Sequence, residues 1–317
     1  MTEAYASDIA PGAAAEARDV LAGDADIGPG LTCRWPAERS PAGFVLFCHG
    51  LGASGDAYAA LSRHLAQYGY LVIHPTFSDA IGRVAAREPA LGLDPGADLT
   101  GWMNVPAARA RMHEILHSPQ RWLERIATAK RVMDRLDDVF DATCGRPAGP
   151  LPGAVAGHSF GAYTAQLLAG AEIDLPDGGI GRFRDARFAA AIVLSGQGRG
   201  QQGLRDGSWD RMDGPVLTVT GTLDRGAKGG DWRWKSEPFE LAPAGDKYLA
   251  VLEDGDHYLG GFADSGAQPI VPAQQEAVRQ LSLAFLDAHV RRKPQARAWL
   301  RSIGSSIGDC RLAFRRK

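Results

Sequence analysis

The chain has 317 residues, 45% hydrophobic and 23% charged, with a formal net charge of −2. That is enough apolar material for a large core, without the bias of a disordered or fibrous chain. The near-neutral balance offers no basic surface for neutralising phosphates, and no stretch reaches the ~18 apolar residues that span a bilayer, so neither nucleic acid nor a membrane span is expected.

The first residues, "MTEAYASDIAPGAAAEARDVL", carry acids and lack a basic leader or a continuous apolar run. No signal peptide is expected there, and cytoplasm is the expected compartment. Residues 1–317 are expected to form a single α/β domain. Cys33, Cys48, Cys144 and Cys310 are widely spaced and form no C-x-x-C, which points to buried free thiols. A hairpin through Pro36 to Pro41 leaves a Cys33–Cys48 disulfide open.

"GFVLFCHG" (43–50) is a short apolar run ending in glycine and predicts a strand buried on both faces. A helix follows, with Tyr58, Leu61, Leu65 and Tyr68 on one face. "YLVIHPTF" (70–77) predicts a second buried strand. Residues 78–118 break the pattern and are expected to form a lid or pocket wall. Within them, His113, Glu114 and His117 of "MHEILH" match H-E-x-x-H, which on a helix places two imidazoles on one face for zinc. Pro119 follows His117 closely and disfavours helix at Ser118. The longer template also fails, with Gln120 in place of a glycine and Leu123 in place of a third histidine. His113 and His117 are therefore expected on an exposed short helix, and a zinc hydrolase is the competing reading.

From 120 to 140, Trp122, Ile126, Ala129, Met133, Leu136 and Phe140 repeat at helical spacing and predict one amphipathic helix. "GAVAGHSFGA" (153–162) predicts strand, tight turn and helix. Further strands are expected in "RFAAAIVLSG" (187–196), "PVLTVTGTLD" (215–224) and "KYLAVLEDGDH" (247–257). Residues 197–214 form a second irregular excursion, Val278, Leu281, Phe285 and Ala288 mark a late helix, and the basic tail 291–317 reads as a solvated or surface-docked end. Alternating buried strands and helices imply a mostly parallel twisted sheet with helices on both faces. Its site should lie at the carboxyl ends of the strands.

Gly157-His158-Ser159-Phe160-Gly161 matches G-x-S-x-G, the turn that exposes a nucleophilic serine between strand and helix. The bare pattern is weak in a chain with 39 glycines, and Gly304-Ser305-Ser306-Ile307-Gly308 also fits it. Only the first copy follows an apolar strand and is followed by an acid and a histidine in the required order. Asp224 ends one predicted strand and His257 follows another, which makes Ser159 the expected nucleophile, His257 the base and Asp224 the orienting acid. Asp254 and Asp256 compete for the acid's role, but they lie so close to His257 in the chain that they read as turn residues. The backbone N–H groups of Leu51 and Phe160 are the expected oxyanion donors, and His49 reads as a structural imidazole bonding loop backbone. Trp102, Met103, Trp209, Trp232 and Trp234 fall in irregular stretches and are candidates for an apolar pocket, with ordinary packing as the alternative.

Together, "FCHGLGAS", "GHSFGA", "TGTLD" and "DGDHYLGG", spread over roughly residues 43–290, resemble the α/β-hydrolase superfamily. Within it, "AGDKYLAVLEDGDHYLGGF" and "AFLDAHV" are similar to bacterial dienelactone-hydrolase-like and platelet-activating-factor-acetylhydrolase-like serine esterases. Dienelactone hydrolases proper carry a cysteine nucleophile where this chain has Ser159. The resemblance implies a small-molecule carboxylic ester as substrate and no cofactor. Thioesterase, peptidase and polyester hydrolase share the same machinery, and a binding protein that keeps the fold without turnover is the non-enzymatic alternative.

Overall fold

The computed structural model describes residues 2–25, 27–28, 30–262 and 269–317. The first half of the chain forms β1 (Ala14–Val20), β2 (Leu31–Pro36), β3 (Gly43–Cys48), α1 (Ala59–Gln67), β4 (Tyr70–Pro75), α2 (Ile81–Arg87), α3 (Pro106–Leu116), α4 (Pro119–Asp134) and α5 (Leu136–Cys144). Then come β5 (Gly153–His158), α6 (Phe160–Leu168), a small hairpin β6 (Glu172–Asp174) and β7 (Ile180–Arg182), β8 (Phe188–Leu194), β9 (Val216–Gly221), α7 (Trp232–Leu241) and β10 (Lys247–Leu252). The chain closes with α8 (Pro272–His289), α9 (Pro294–Ser302), β11 (Ser306–Ile307) and β12 (Cys310–Arg316).

The fold is mixed α/β around a 10-stranded sheet of order β1-β2-β4-β3-β5-β8-β9-β10-β12-β11. The strands from β4 through β3, β5, β8 and β9 to β10 run parallel, and the flanking pairs are antiparallel. Parallel strands covered on both faces have no solvated side, which is why they read as unbroken apolar runs. Alternation then divides each strand between two cores. Val45, Phe47, Tyr70, Val72, Ala154 and Ala156 pack beneath α1, α8 and α9, alongside Leu61, Leu65, Leu281 and Phe285. Phe44, Leu46, Cys48, Leu71, Ile73 and Val155 face the other way, toward Ile126, Ala129, Met133, Phe140 and Leu167 of α4, α5 and α6.

One expectation needs correction, and three alternatives left open are decided. The single helix over 120–140 is broken at Arg135, whose φ of −107° and ψ of 21° leave the helical region between α4 and α5. There its N–H is shared between Arg131 O and Val132 O at 3.1 and 3.2 Å, and Asp137 and Asp138 open a new first turn where acids are favoured. The tail is not a solvated end: β12 pairs antiparallel with β10, Tyr248 opposite Arg316 through Leu252 opposite Leu312. On β12 itself, Arg311 pairs with Glu253 and Arg315 with Glu240. Cys33 and Cys48 are both free, because β4 lies between β2 and β3, so no hairpin joins their strands. Trp209 is fully buried and donates to Gln166 Oε1 at 2.8 Å, so it belongs to the core and not to a pocket.

The 78–118 excursion holds α2, α3 and short turns. Its Ile81, Val84, Met112 and Ile115 make a satellite cluster that packs against Leu51 and Trp102. Among the described residues, no helix is long and apolar enough to cross a membrane.

Candidate active site

Because β3, β5, β8, β9 and β10 are parallel, their carboxyl ends share one rim of the sheet. Leu51 follows β3, Ser159 and Phe160 follow β5, Asp224 follows β9 and His257 follows β10. The fold thus brings to one edge residues far apart in the chain.

The turn after β5 is forced into a conformation that favours glycine: Ser159 has φ 54° and ψ −120°. Its neighbours explain why the turn survives. A Cβ on Gly157 would lie 2.2 Å from Gly161 O, and one on Gly161 would lie 1.9 Å from Cys48 O. Only glycine at both positions lets the turn fold on itself and lets α6 start directly against the end of β3. A serine preceding a helix commonly caps a backbone amide, but here the strained geometry turns the hydroxyl elsewhere. Ser159 Oγ lies 3.0 Å from His257 Nε2.

On the other side of the ring, His257 Nδ1 is 2.9 Å from Asp224 Oδ1. Asp224 is fully buried, while the His257 side chain is 28% exposed, so the imidazole joins a dry carboxylate to an open hydroxyl. Burial alone would push the Asp224 carboxyl up. The hydrogen bond and charge of His257, the charge of Lys235 and the Ser195 hydroxyl outweigh it and hold the group at about 2, well below the usual carboxylate range. Thr220 Oγ1 donates to Asp224 Oδ2 at 2.9 Å, which fixes the second oxygen. Asp254 is an exposed turn residue at φ 54°, and Asp256 Oδ1 accepts from the Tyr258 N–H, whereas it is Asp224 that reaches the His257 ring.

The loop after β3 is anchored from below. His49 Nδ1 donates to Gly50 O at 2.7 Å and its Nε2 accepts from the Phe77 N–H at 3.0 Å, the backbone-bonding role expected of this imidazole. Burial, reinforced by the Arg125 charge, drives its basicity down to about 4. Arg125 of α4 donates to His49 O at 2.7 Å, pairs with Asp79, and stacks over the Phe77 and Phe160 rings at 4.4 and 4.1 Å. His158 Nε2 donates to His257 O at 2.8 Å, while its Nδ1 accepts from Tyr58 Oη, which also receives the Gly50 N–H. Among the described residues, the Leu51 and Phe160 amides donate to no protein acceptor. Phe160 opens α6, where the first amides have no partner within the helix and the helix dipole favours negative charge.

The H-E-x-x-H residues lie on a different element. His113 and Glu114 are exposed on α3, His117 caps its end, and α4 begins at Pro119. The two imidazoles meet with ring centroids 4.6 Å apart, and Glu114 pairs with Arg111. Among the described residues, no group of three or more His, Cys, Asp or Glu side chains is gathered as a metal site. Gly304–Gly308, the second G-x-S-x-G, spans β11, where Ser306 pairs opposite Arg311 of β12. Trp102 packs against Gly52 at the mouth of the β3 loop and Met103 is 37% exposed. Trp234 donates to Arg199 O, and Trp232 lies beneath the Arg233 guanidinium.

Three contacts were not legible as site residues. Ser195, just past β8, places Oγ 2.7 Å from His257 Nδ1. Lys235 of α7 is 2% exposed and donates to Ser195 O at 3.2 Å. Arg125 sits one residue from Ile126 in the buried stripe of α4. The available signals were a polar residue closing the apolar run "AAAIVLSG", and charges set among apolar helix positions. No protein-family model and no curated protein sequence matches the chain.

Proposed function

We propose that this chain is a serine hydrolase of α/β-hydrolase architecture that cleaves carboxylic esters through an acyl-enzyme. The observation that carries the reading is the Ser159–His257–Asp224 relay, with 3.0 and 2.9 Å contacts on opposite nitrogens of one ring. The strand–turn–helix setting of Ser159 and the chain order serine, acid, histidine support it further.

In this reading, Ser159 Oγ attacks the ester carbonyl carbon while His257 Nε2 takes the hydroxyl proton. Asp224 holds Nδ1–H, fixes the tautomer and stabilises the imidazolium. The carbonyl oxygen becomes an oxyanion, and the Leu51 and Phe160 amides, which donate to no protein acceptor among the described residues, stabilise it. Collapse of the tetrahedral species expels the alkoxide, which takes the proton from His257. Water then repeats the sequence on the acyl-enzyme, with His257 as base, to release the acid and restore Ser159. Thioesters and amides pass through the same intermediate, so the leaving group is decided by substrate and not by this geometry.

The test is hydrolysis of p-nitrophenyl esters of increasing acyl length by wild-type protein and Ser159→Ala. Turnover in the wild type and a fall of ~10⁴-fold in the variant are expected. Undiminished turnover in a folded variant would reject the reading.

A further inference from the structure

Two neighbouring parallel strands, β5 and β8, are each followed by a serine held at positive φ, Ser159 at 54° and Ser195 at 50°. The two hydroxyls reach opposite nitrogens of the same imidazole, Ser159 Oγ at 3.0 Å from Nε2 and Ser195 Oγ at 2.7 Å from Nδ1. A left-handed backbone is disfavoured for any residue with a Cβ, so glycine is the easier occupant of position 195.

Ser195 is also held on every side. Its N–H donates to Val219 O of β9 at 2.8 Å, and its carbonyl accepts from Lys235 Nζ at 3.2 Å. The carbonyl of Leu194, one residue before it, receives the Ser159 N–H at 2.9 Å, so the two strained turns are joined directly. The residue is fully buried and out of reach of solvent. His257 Nδ1–H thus faces two acceptors, Asp224 Oδ1 at 2.9 Å and Ser195 Oγ at 2.7 Å.

We propose that Ser195 is a positioning residue for the hydrolysis assigned above: together with Asp224 it gives His257 Nδ1–H two acceptors that hold the imidazole plane so that Nε2 faces Ser159. Lys235 holds the Ser195 carbonyl from behind. A carboxylate alone leaves the ring free to swing about a single hydrogen bond, whereas two acceptors on Nδ1–H restrict it. The ionisable groups around this ring are Asp224 after β9, His158 at the end of β5, Lys235 of α7 behind Asp224, and Tyr258 beside it on the same loop. Ser195 is the neutral member among them, so it orients without adding charge.

The inference rests on the serine-hydrolase reading, and its test separates the two. Ser195→Ala and Ser195→Gly are compared with wild type for kcat and KM on one p-nitrophenyl ester, for thermal unfolding, and for the low-field proton signal of His257 Nδ1–H without substrate. Both variants are expected to lose about tenfold in kcat at unchanged KM, the size of one hydrogen bond to a charged partner. Both should shift or broaden the Nδ1 proton signal. Ser195→Gly, whose backbone suits the left-handed turn, should unfold no lower than wild type, which separates the kinetic loss from folding. An Nδ1 signal identical in all three proteins overturns the positioning role, as does unchanged kcat in an active protein or a rise in KM alone. If the wild type hydrolyses no ester while the signal still shifts, the hydrolase reading fails and the hold on the ring stands.

Discussion

Arg125 and Asp79 meet through two hydrogen bonds, Nε to Oδ1 at 3.0 Å and Nη2 to Oδ2 at 2.6 Å, with both side chains 1% exposed. The pair lies beneath the β3 loop, and Arg125 holds the His49 carbonyl that precedes Leu51. Removing one partner of a buried pair leaves the other charge without compensation, which costs about 3–5 kcal/mol. Arg125→Met is expected to lose that much in urea unfolding, and adding Asp79→Asn should recover part of it. A loss below about 1 kcal/mol would mean that the pair does not anchor the loop.

The glycines of the turn are expected to differ sharply from a glycine in open space. Gly161→Ala drives a Cβ to 1.9 Å from Cys48 O, so α6 must move off the end of β3. Displaced backbone of this kind typically costs about 1–3 kcal/mol or more, and turnover should fall with it. Gly82 lies in α2 with nothing within 4 Å of an added Cβ. Gly82→Ala should instead stabilise by about 0.5–1 kcal/mol, since alanine loses less backbone entropy in a helix. Thermal melts of the two variants check both signs.

The central strands and the placing of Ser159, Asp224 and His257 were legible because parallel strands are buried on both faces and the site of such a sheet lies at their ends. The outer strands were not. "AAEARDV" and "CRLAFRR" carry charges on their solvated face, and only the partner strand makes them β. The crossing of β4 between β2 and β3 leaves no trace in spacing, so spacing alone left a Cys33–Cys48 pairing open beside the free thiols that the structure shows. Ser195 and Arg125 were hidden for a related reason: their roles come from contacts with residues 62 and 76 positions away.

Stability should fall on mild acidification. His49 and His158 are buried and neutral, the first lowered to about 4 by burial and the Arg125 charge, the second to about 3 by burial and the His257 charge. An unfolded histidine takes its proton near 6.5, so below that pH the unfolded chain binds more protons than the folded one. The stability is whole above 6.5 and is lost as pH falls toward 4 and then 3, on the order of 3 kcal/mol from His49 alone. Asp224, held at about 2, adds a further loss in the same direction only below about 4. Unfolding free energies measured from pH 7 to 4 should decline, and His49→Gln should make the decline shallower, with His158 and the other buried histidines still contributing. A level curve over that window would contradict these burial effects.

The α3 histidines give the opposite expectation. His113 is exposed and, among the described residues, gathered with no third ligand, so His113→Ala should keep hydrolysis within about twofold of wild type, and a chelator should leave it unchanged. Loss of activity under either treatment, in a folded protein, would return attention to zinc at "MHEILH".

The most direct measurement is covalent. A fluorophosphonate, whose phosphorus mimics the tetrahedral acyl intermediate, reacts only with a serine that has a base at hand and an oxyanion site before it. Mass spectrometry of the treated chain is expected to show one adduct, mapped to the peptide carrying Ser159, absent from Ser159→Ala and strongly slowed in His257→Ala. An unlabelled wild-type chain, or an adduct that persists undiminished without Ser159, would contradict the account.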